Sequence, residues 1–244
     1  MTLQEFKNEF QISYNNIATN SAPNIDDYEL SVYLTKAQLE LVKDYYTEKG
    51  NKYKEGFESS EKRRVDLKEL ITSYTNNSYF TSSKAIHKNS KFFNIPNDVF
   101  LIINENVEIL NKGCDNGRSS NVKPVTHDEF SKQILNPFKR PNKYISWRLD
   151  YSKIDSKNIV EIISEFDIIY KLRYIKYPKP IIITDLNLFY PDDNLSIDGY
   201  TNALDCELDK EIHREIIDRA VELALRDYKP SGLESKIQID QRNE

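Results

Sequence analysis

Glycine is scarce in this 244-residue chain: six in all, at positions 50, 56, 113, 117, 199 and 232, never closer than four apart. That spacing excludes the glycine-rich turns that cradle phosphates. No Gly-Lys-Ser/Thr or Gly-x-Ser-x-Gly sequence occurs, so a P-loop, a dinucleotide turn and a hydrolase nucleophile elbow are all excluded. Histidine (three) and cysteine (two) are nearly as rare. Cys114 and Cys206 are too few for a disulfide scaffold or a cysteine zinc site, and His87, His127 and His213 form no His-Glu-x-x-His pair. No apolar run approaches the roughly 20 residues needed to cross a bilayer, and mean hydropathy is −0.66, which argues against an integral membrane protein. The opening MTLQEFKNEF lacks the basic-then-apolar layout of a signal peptide. These absences leave a soluble, reduced, folded chain with few of the usual catalytic parts.

What is plentiful is tyrosine and charge. Aromatics make up 11%, with 16 Tyr against 11 Phe, a bias that suits contact surface because Tyr joins apolar area to a polar tip. The net charge of −5 comes from 34 basic and 39 acidic residues. Residues 1–75 and 205–244 are both net acidic, and residues 76–204 are mildly basic. The imbalance is too small to argue for nucleic-acid affinity by itself.

Periodicity divides the chain in the same places. Thr2 and Glu5 form a capping box, followed by Leu3, Phe6, Phe10, Tyr14 and Ile17 on one helical face. A second helix is predicted from about Asp27 to Tyr46, and a third from about Glu61 to Tyr74. Phe100–Ile103 and Val107–Leu110, separated by Asn104-Glu105-Asn106, read as a hairpin. Thr126 and Glu129 open a short helix to about Leu135. Residues 144–149, 159–163 and 168–175 are β-branched, aromatic and partly alternating, hence strands. Pro178 and Pro180 before Ile181–Ile183 suit a bend or a sheet edge. The last helix, about Asp209 to Tyr228, carries Ile212, Ile216, Ala220, Leu223 and Ala224 as one stripe and is stopped by Pro230 and Gly232. The expected architecture is α+β: a helical unit made of residues 1–75 and 205–230, an inserted β-rich unit at 76–204, and a C-terminal interaction tail at 231–244.

The candidates for chemistry each have a plainer explanation. His127-Asp128-Glu129 could ligate a metal, but a capping turn accounts for the same residues, and His213 reads as a surface or interface residue. Asp192–Asp198 resembles a calcium loop but has Ile197 where the turn needs Gly and Ala203 where the last ligand should be. Asp155-Ser156-Lys157 fits the Asp-x-Lys of some nucleases, and the same type of triplet recurs at Asp66–Lys68 and Glu234–Lys236, as chance would give. Paired carboxylates for glycoside hydrolysis are set by spatial, not sequential, spacing, and nothing points to them. Lys139, Arg140 and Lys143, followed by Trp147 and Arg148, mix charge with an aromatic and could meet nucleic acid or a protein interface, but a solvated inter-strand loop next to a core Trp accounts for them better. Leu233, Ile237 and Ile239 lie beyond the last helix stop, where an extended segment could add to a neighbour's sheet edge or groove. No metal, cofactor or catalytic residue is expected.

The blocks MTLQEFKNEFQISYNNIATNSAPNIDDYELSVYLTKAQLELVKDYY, KYKEGFESSEKRRVDLKELI, YKLRYIKYPKPIII and CELDKEIHREIIDRAVELALRDYKPS resemble a virion structural protein of crAss-like gut bacteriophages, of the neck or head–tail connector kind. The resemblance covers about two-thirds of the chain. It implies a non-enzymatic subunit of a ring beneath the portal, sharing its twelvefold symmetry as a dodecamer and lining the channel through which genomic DNA leaves. It implies contact with the portal protein, with other neck or tail rings and with its own copies, no membrane, assembly in the host cytoplasm and residence at the virion neck. Partner contact falls to the final helix, with Ile212 and Ile216, and to Leu233, Ile237 and Ile239. The alternatives are another neck- or tail-stabilising virion component, or a DNA-acting packaging enzyme using Asp155.

Overall fold

The structure, a computed structural model, describes residues 1–17, 24–47, 56–110, 115–150, 158–190 and 194–228. In chain order its elements are α1 (Leu3–Ile17), α2 (Asp27–Tyr46), α3 (Glu61–Asp66), β1 (Ile71–Asn76), β2 (Ser90–Ile95), β3 (Val99–Leu110), β4 (Ser119–Pro124), α4 (His127–Gln133), β5 (Ile145–Asp150), β6 (Asn158–Ile163), β7 (Asp167–Lys176), α5 (Leu186–Phe189) and α6 (His213–Tyr228). The fold is α+β, and the chain separates into two compact units: residues up to Leu70 with those from Pro178 onward, and residues 71–177 between them.

The first unit is helical. The Thr2 amide donates to Glu5 Oε2 at 2.7 Å and the Glu5 amide to Thr2 Oγ1 at 3.3 Å, so the capping box starts α1 as the spacing predicts. Asp26 and Glu29 form a second reciprocal box at the start of α2. Phe6, Phe10 and Tyr14 of α1 and Leu30, Leu34, Ala37 and Val42 of α2 are buried, as are Ile216, Ile217, Ala220, Val221 and Ala224 of α6. Each stripe removes several large side chains from water, at roughly 1.5–3 kcal/mol per fully buried residue. Along the rim, Arg219 pairs with Glu40 at 2.6 Å, and the hydroxyl of Tyr33 donates to Asp227 at 3.2 Å, tying α6 to α2.

Residues 178–204, which periodicity places in the β-rich insertion, lie with the helices instead. The reason is a polar stripe on α2. Ser31, Thr35 and Gln38, one helical turn apart, are all buried. Ser31 Oγ accepts from the Ile183 amide (3.0 Å), Thr35 Oγ1 from the Ile181 amide (3.2 Å), and Gln38 Nε2 donates to the Lys179 carbonyl (2.9 Å). The helix thereby supplies partners that a neighbouring strand would otherwise give. On its other side Ile182 exchanges both backbone hydrogen bonds with Leu204. Ile182, Leu186 and Ile197 then close a small core with Tyr28 and Val32 of α2.

The second unit is a seven-stranded sheet of order β1-β7-β3-β4-β5-β6-β2, antiparallel except where β4 and β5 run parallel. The sheet curls, so that Asn76 at the end of β1 donates to the Asn94 carbonyl of β2 at 3.0 Å. Its inner face is apolar: Phe93, Val107, Ile109, Val160, Ile162, Ile168, Tyr170, Leu172 and Tyr174 form one cluster. On the outer face α4 lays Phe130 over Trp147, with Val125, Leu149 and Ile163 around them.

Two expected elements differ. The third helix stops at Asp66, and Ile71–Asn76 is a strand, because pairing with Tyr170–Ile175 of β7 outweighs the helical spacing of Leu67, Leu70 and Tyr74. The expected 100–110 hairpin is one long strand, β3, irregular near Val99–Leu101 and Ile102–Asn104. Asn104-Glu105-Asn106 has the composition of a turn but pairs in register with Lys171–Arg173.

Candidate interaction surfaces

The expected contact residues divide sharply. Ile212 and Ile216 are 1% and 0% exposed, inside the helical unit. They hold the unit together and offer nothing to a partner, a correction that follows from the apolar stripe of α6 being consumed by its own unit. Leu233, Ile237 and Ile239 lie outside the described residues, as do Cys114, Asp192, Asp193 and the Asp155–Lys157 triplet.

The residues with metal-binding or nuclease-like spacing that the structure describes have structural roles. Thr126 Oγ1 accepts the Glu129 amide at 3.3 Å, so His127-Asp128-Glu129 is the first turn of a capped helix. Asp66 is buried, and burial raises its carboxyl above the ordinary Asp range, while Lys68 pairs with Asp209 at 2.8 Å. Among the described residues no three His, Cys, Asp or Glu side chains are grouped to hold a metal ion. His213 is buried rather than a surface residue. Its Nδ1 lies 2.9 Å from the Met1 ammonium, its Nε2 lies 3.0 Å from the Leu208 carbonyl, and Phe6 packs on its ring. Burial pushes its pKa below the ordinary value. An ammonium can only donate, so Nδ1 accepts and Nε2–H donates to Leu208, which assigns the neutral tautomer. Burial also lifts the Cys206 thiol to about 11, far from a reactive thiolate.

The basic loop is where the surface is unusual. Between α4 and β5, Asn136 Oδ1 accepts the Phe138 amide (3.0 Å), Asn142 Oδ1 accepts the Tyr144 amide (2.8 Å), and Arg140 Nε donates to the Ile134 carbonyl (2.8 Å). These short-range bonds fix the loop and hold Phe138 outward, 95% exposed. Leu135, Tyr144 and Ile145 beside it are also exposed. Lys139 and Arg140 are exposed; Lys143 is half-buried, 4.0 Å from Asp115 and over the Tyr144 ring. A cleft of about 220 Å³ runs beside this loop, lined by Lys123, Phe138, Lys139, Arg140, Ile145 and Trp147, and among the described residues no carboxylate lines it. Such a wall suits an acidic segment with apolar side chains. Spacing brought out the charges of this loop but not its apolar half, because Leu135 and Phe138 sit in an aperiodic Asn/Pro-rich stretch.

A family model described as "Phage tail ring protein 3/4" matches residues 1–234. Two proteins of Bacteroides phage crAss001 are similar over almost the full length. "Ring protein 4/5" is 39% identical over 248 aligned residues, covering all of both chains. "Ring protein 3" is 34% identical over 228 residues, covering 92% of this chain and 95% of that relative.

Proposed function

The chain belongs to the phage tail ring protein 3/4 family, and from that membership we propose that it is a structural, non-catalytic subunit of a ring in the virion neck, coaxial with the portal. The observation that carries this reading is that two differently named ring proteins of one phage match it nearly end to end. That similarity spans both compact units, which supports reading the two together as one assembly module. The crowding of tyrosine and the exposed loop of the β unit fit a subunit whose work is contact.

In a closed ring each copy presents two different faces to its two neighbours. The proposed ring shares the portal's twelvefold symmetry and surrounds the path of the genome. A net charge of −5 opposes lasting attachment of phosphate to the wall. Leu233, Ile237 and Ile239, in the segment beyond α6, are assigned contact with the portal or an adjoining ring; deleting residues 231–244 is expected to leave a folded subunit that no longer enters virions. Assembly takes place in the host cytoplasm and the mature site is the virion neck.

Quantitative mass spectrometry of purified virions, with the portal protein as internal standard, tests the reading. Parity with the portal, or a simple multiple of it, is expected. Absence, or a few stray copies, would remove the ring assignment. The rival of a metal-dependent nuclease then returns, tested by loss of DNA cleavage in Asp155→Ala.

A further inference from the structure

Charge along this chain is segregated more strongly than its totals suggest. Between Glu129 and Asp150 there is no acidic residue, and Lys132, Lys139, Arg140, Lys143 and Arg148 are all basic. Between Lys179 and Lys210 there is no basic residue, and seven acidic ones occur, Asp185, Asp192, Asp193 and Asp198 among them. The first run belongs to the β unit and the second to the helical unit. Among the described residues, each run also carries the most exposed large apolar side chains of its unit: Phe138 at 95% and Leu135 at 76% in the basic run, Leu188 at 75% and Phe189 at 63% in the acidic one.

Both apolar pairs are held on fixed turns. The Asn136, Asn142 and Arg140 hydrogen bonds hold the basic loop. On the acidic side, Asp185 Oδ1 accepts the Asn187 and Leu188 amides at 3.0 and 3.3 Å, and Asn187 Nδ2 donates to Thr201 Oγ1 at 2.8 Å. Leu186, fully buried, anchors the turn while Leu188 and Phe189 face solvent; Asp198 of the same acidic run is exposed as well. Preorganised apolar anchors ringed by charge are the ordinary makings of a binding hot spot.

We propose that these two surfaces are the two halves of one contact between copies of this chain: the acidic α5 turn of one copy, led by Leu188 and Phe189, seats in the basic Phe138–Lys139–Arg140 cleft of the next. The proposal rests on the ring reading and makes it specific. A contact that joins unlike surfaces is heterologous, so it repeats head to tail and closes when the rotation per copy divides a full turn. Opposite charge sets orientation and speeds encounter, and like charge on each surface disfavours pairing with itself.

The test uses the full-length chain and two surface variants, Phe138→Ala/Lys139→Glu in the cleft and Leu188→Ala/Phe189→Ala on the turn. All four side chains are exposed, so folding should persist, checked by circular dichroism and by emission from Trp147, the sole tryptophan. Sedimentation velocity is run from micromolar to near-millimolar protein at low and high salt. The unchanged chain is expected to form species larger than a dimer, weakened by salt, and each variant to associate at least about tenfold less tightly. An equimolar mixture of the two variants is expected to give a dimer and nothing larger, because one intact cleft then meets one intact turn. Three results each overturn the proposal: an unchanged chain that stays monomeric throughout, variants that assemble like it, or a mixture that gives no dimer. Variants that assemble normally leave the ring reading intact, since that reading falls on virion copy number instead. If assembly is unaffected but the cleft variant loses binding to a duplex DNA probe, the occupant is nucleic acid and the proposal is again overturned.

Discussion

Glu105 on β3 and Arg148 on β5 form an ion pair inside the curl of the sheet, and Tyr170 on β7 donates its hydroxyl to the same carboxylate. The two charged side chains are 4% and 11% exposed. Glu105 stands opposite Leu172, and Arg148 opposite Ile162, on the face otherwise filled by the apolar cluster. A charge pair in such a place stabilises only while both partners are present, since either alone is a buried charge without compensation. Glu105→Gln is therefore expected to destabilise the β unit by about 3 kcal/mol. Replacing both, as Glu105→Met/Arg148→Met, is expected to cost less than the sum of the single changes. Urea denaturation followed through Trp147 measures this, because that residue lies buried in the β unit. Additive losses would show that the two residues act separately.

The α2 polar stripe makes a second expectation. The Ile183 amide is buried and its partner is Ser31 Oγ, which itself donates to the Asp27 carbonyl at 2.6 Å. Ser31→Ala leaves that amide without a partner and should cost about 1–3 kcal/mol, the desolvation penalty of a buried polar group. Ser31→Thr keeps the hydroxyl and should recover part of the loss. Thermal unfolding read by helical circular dichroism compares the three proteins. Equal stability of the Ala variant and the parent would mean that residues 181–183 do not depend on α2 for their hydrogen bonds.

That stripe also explains why some of the fold could be read from sequence and some could not. α2 and α6 have apolar periods long enough to outvote local accidents, and Thr2 with Glu5 forms the capping pair its spacing announces. The segment Ile71–Tyr74 continues the apolar spacing of the helix before it, and only pairing with β7, about a hundred residues away, makes it a strand. Asn104-Glu105-Asn106 looks like turn material because nothing local reveals that Glu105 has buried partners on two other strands. The candidate surface was half legible. Charge is visible in the letters, and it singles out Lys139, Arg140 and Lys143. Exposure of Phe138 is a tertiary property, and Ile212 and Ile216 show the same limit in reverse. Their stripe signals burial against something, and only the folded unit shows that the something is its own N-terminal helices.

Cys206 provides a chemical check on packing in the helical unit. Burial raises its thiol to about 11, and its sulfur sits 3.6 Å from Gln38 Oε1. At pH 8 the thiolate fraction is then near a thousandth, against roughly a quarter for an ordinary thiol of pKa about 8.5. In a Cys114→Ala protein the remaining thiol should react with a thiol reagent far more slowly than a free cysteine, and reach the free rate in urea. Fast labelling of the native protein would contradict the half-buried, desolvated placement of the Cys206 thiol.

His213 links pH to stability in the same unit. Its folded pKa is lowered from 6.5, by burial first and with the Met1 ammonium adding to it, against the Leu208 carbonyl and Asp209, which favour the charged form. Below pH 6.5 the unfolded chain takes up a proton at this position that the folded chain resists. The unfolded state therefore gains relative stability as pH falls, and the contribution of neutral His213 is complete only above about 6.5. One proton sets the ceiling on the slope, about 1.4 kcal/mol per pH unit. His213→Gln keeps a donor for the Leu208 carbonyl and removes the titration. The parent is expected to lose stability between pH 6.5 and the lowered folded value, by chemical denaturation followed at the helical circular dichroism band, and the variant to show a shallower slope over the same interval. An identical slope in both proteins would place the acid sensitivity elsewhere. Asp66 separates itself from the effect by sign: its folded pKa is raised, so its contribution weakens as pH rises through the carboxylate range rather than as pH falls.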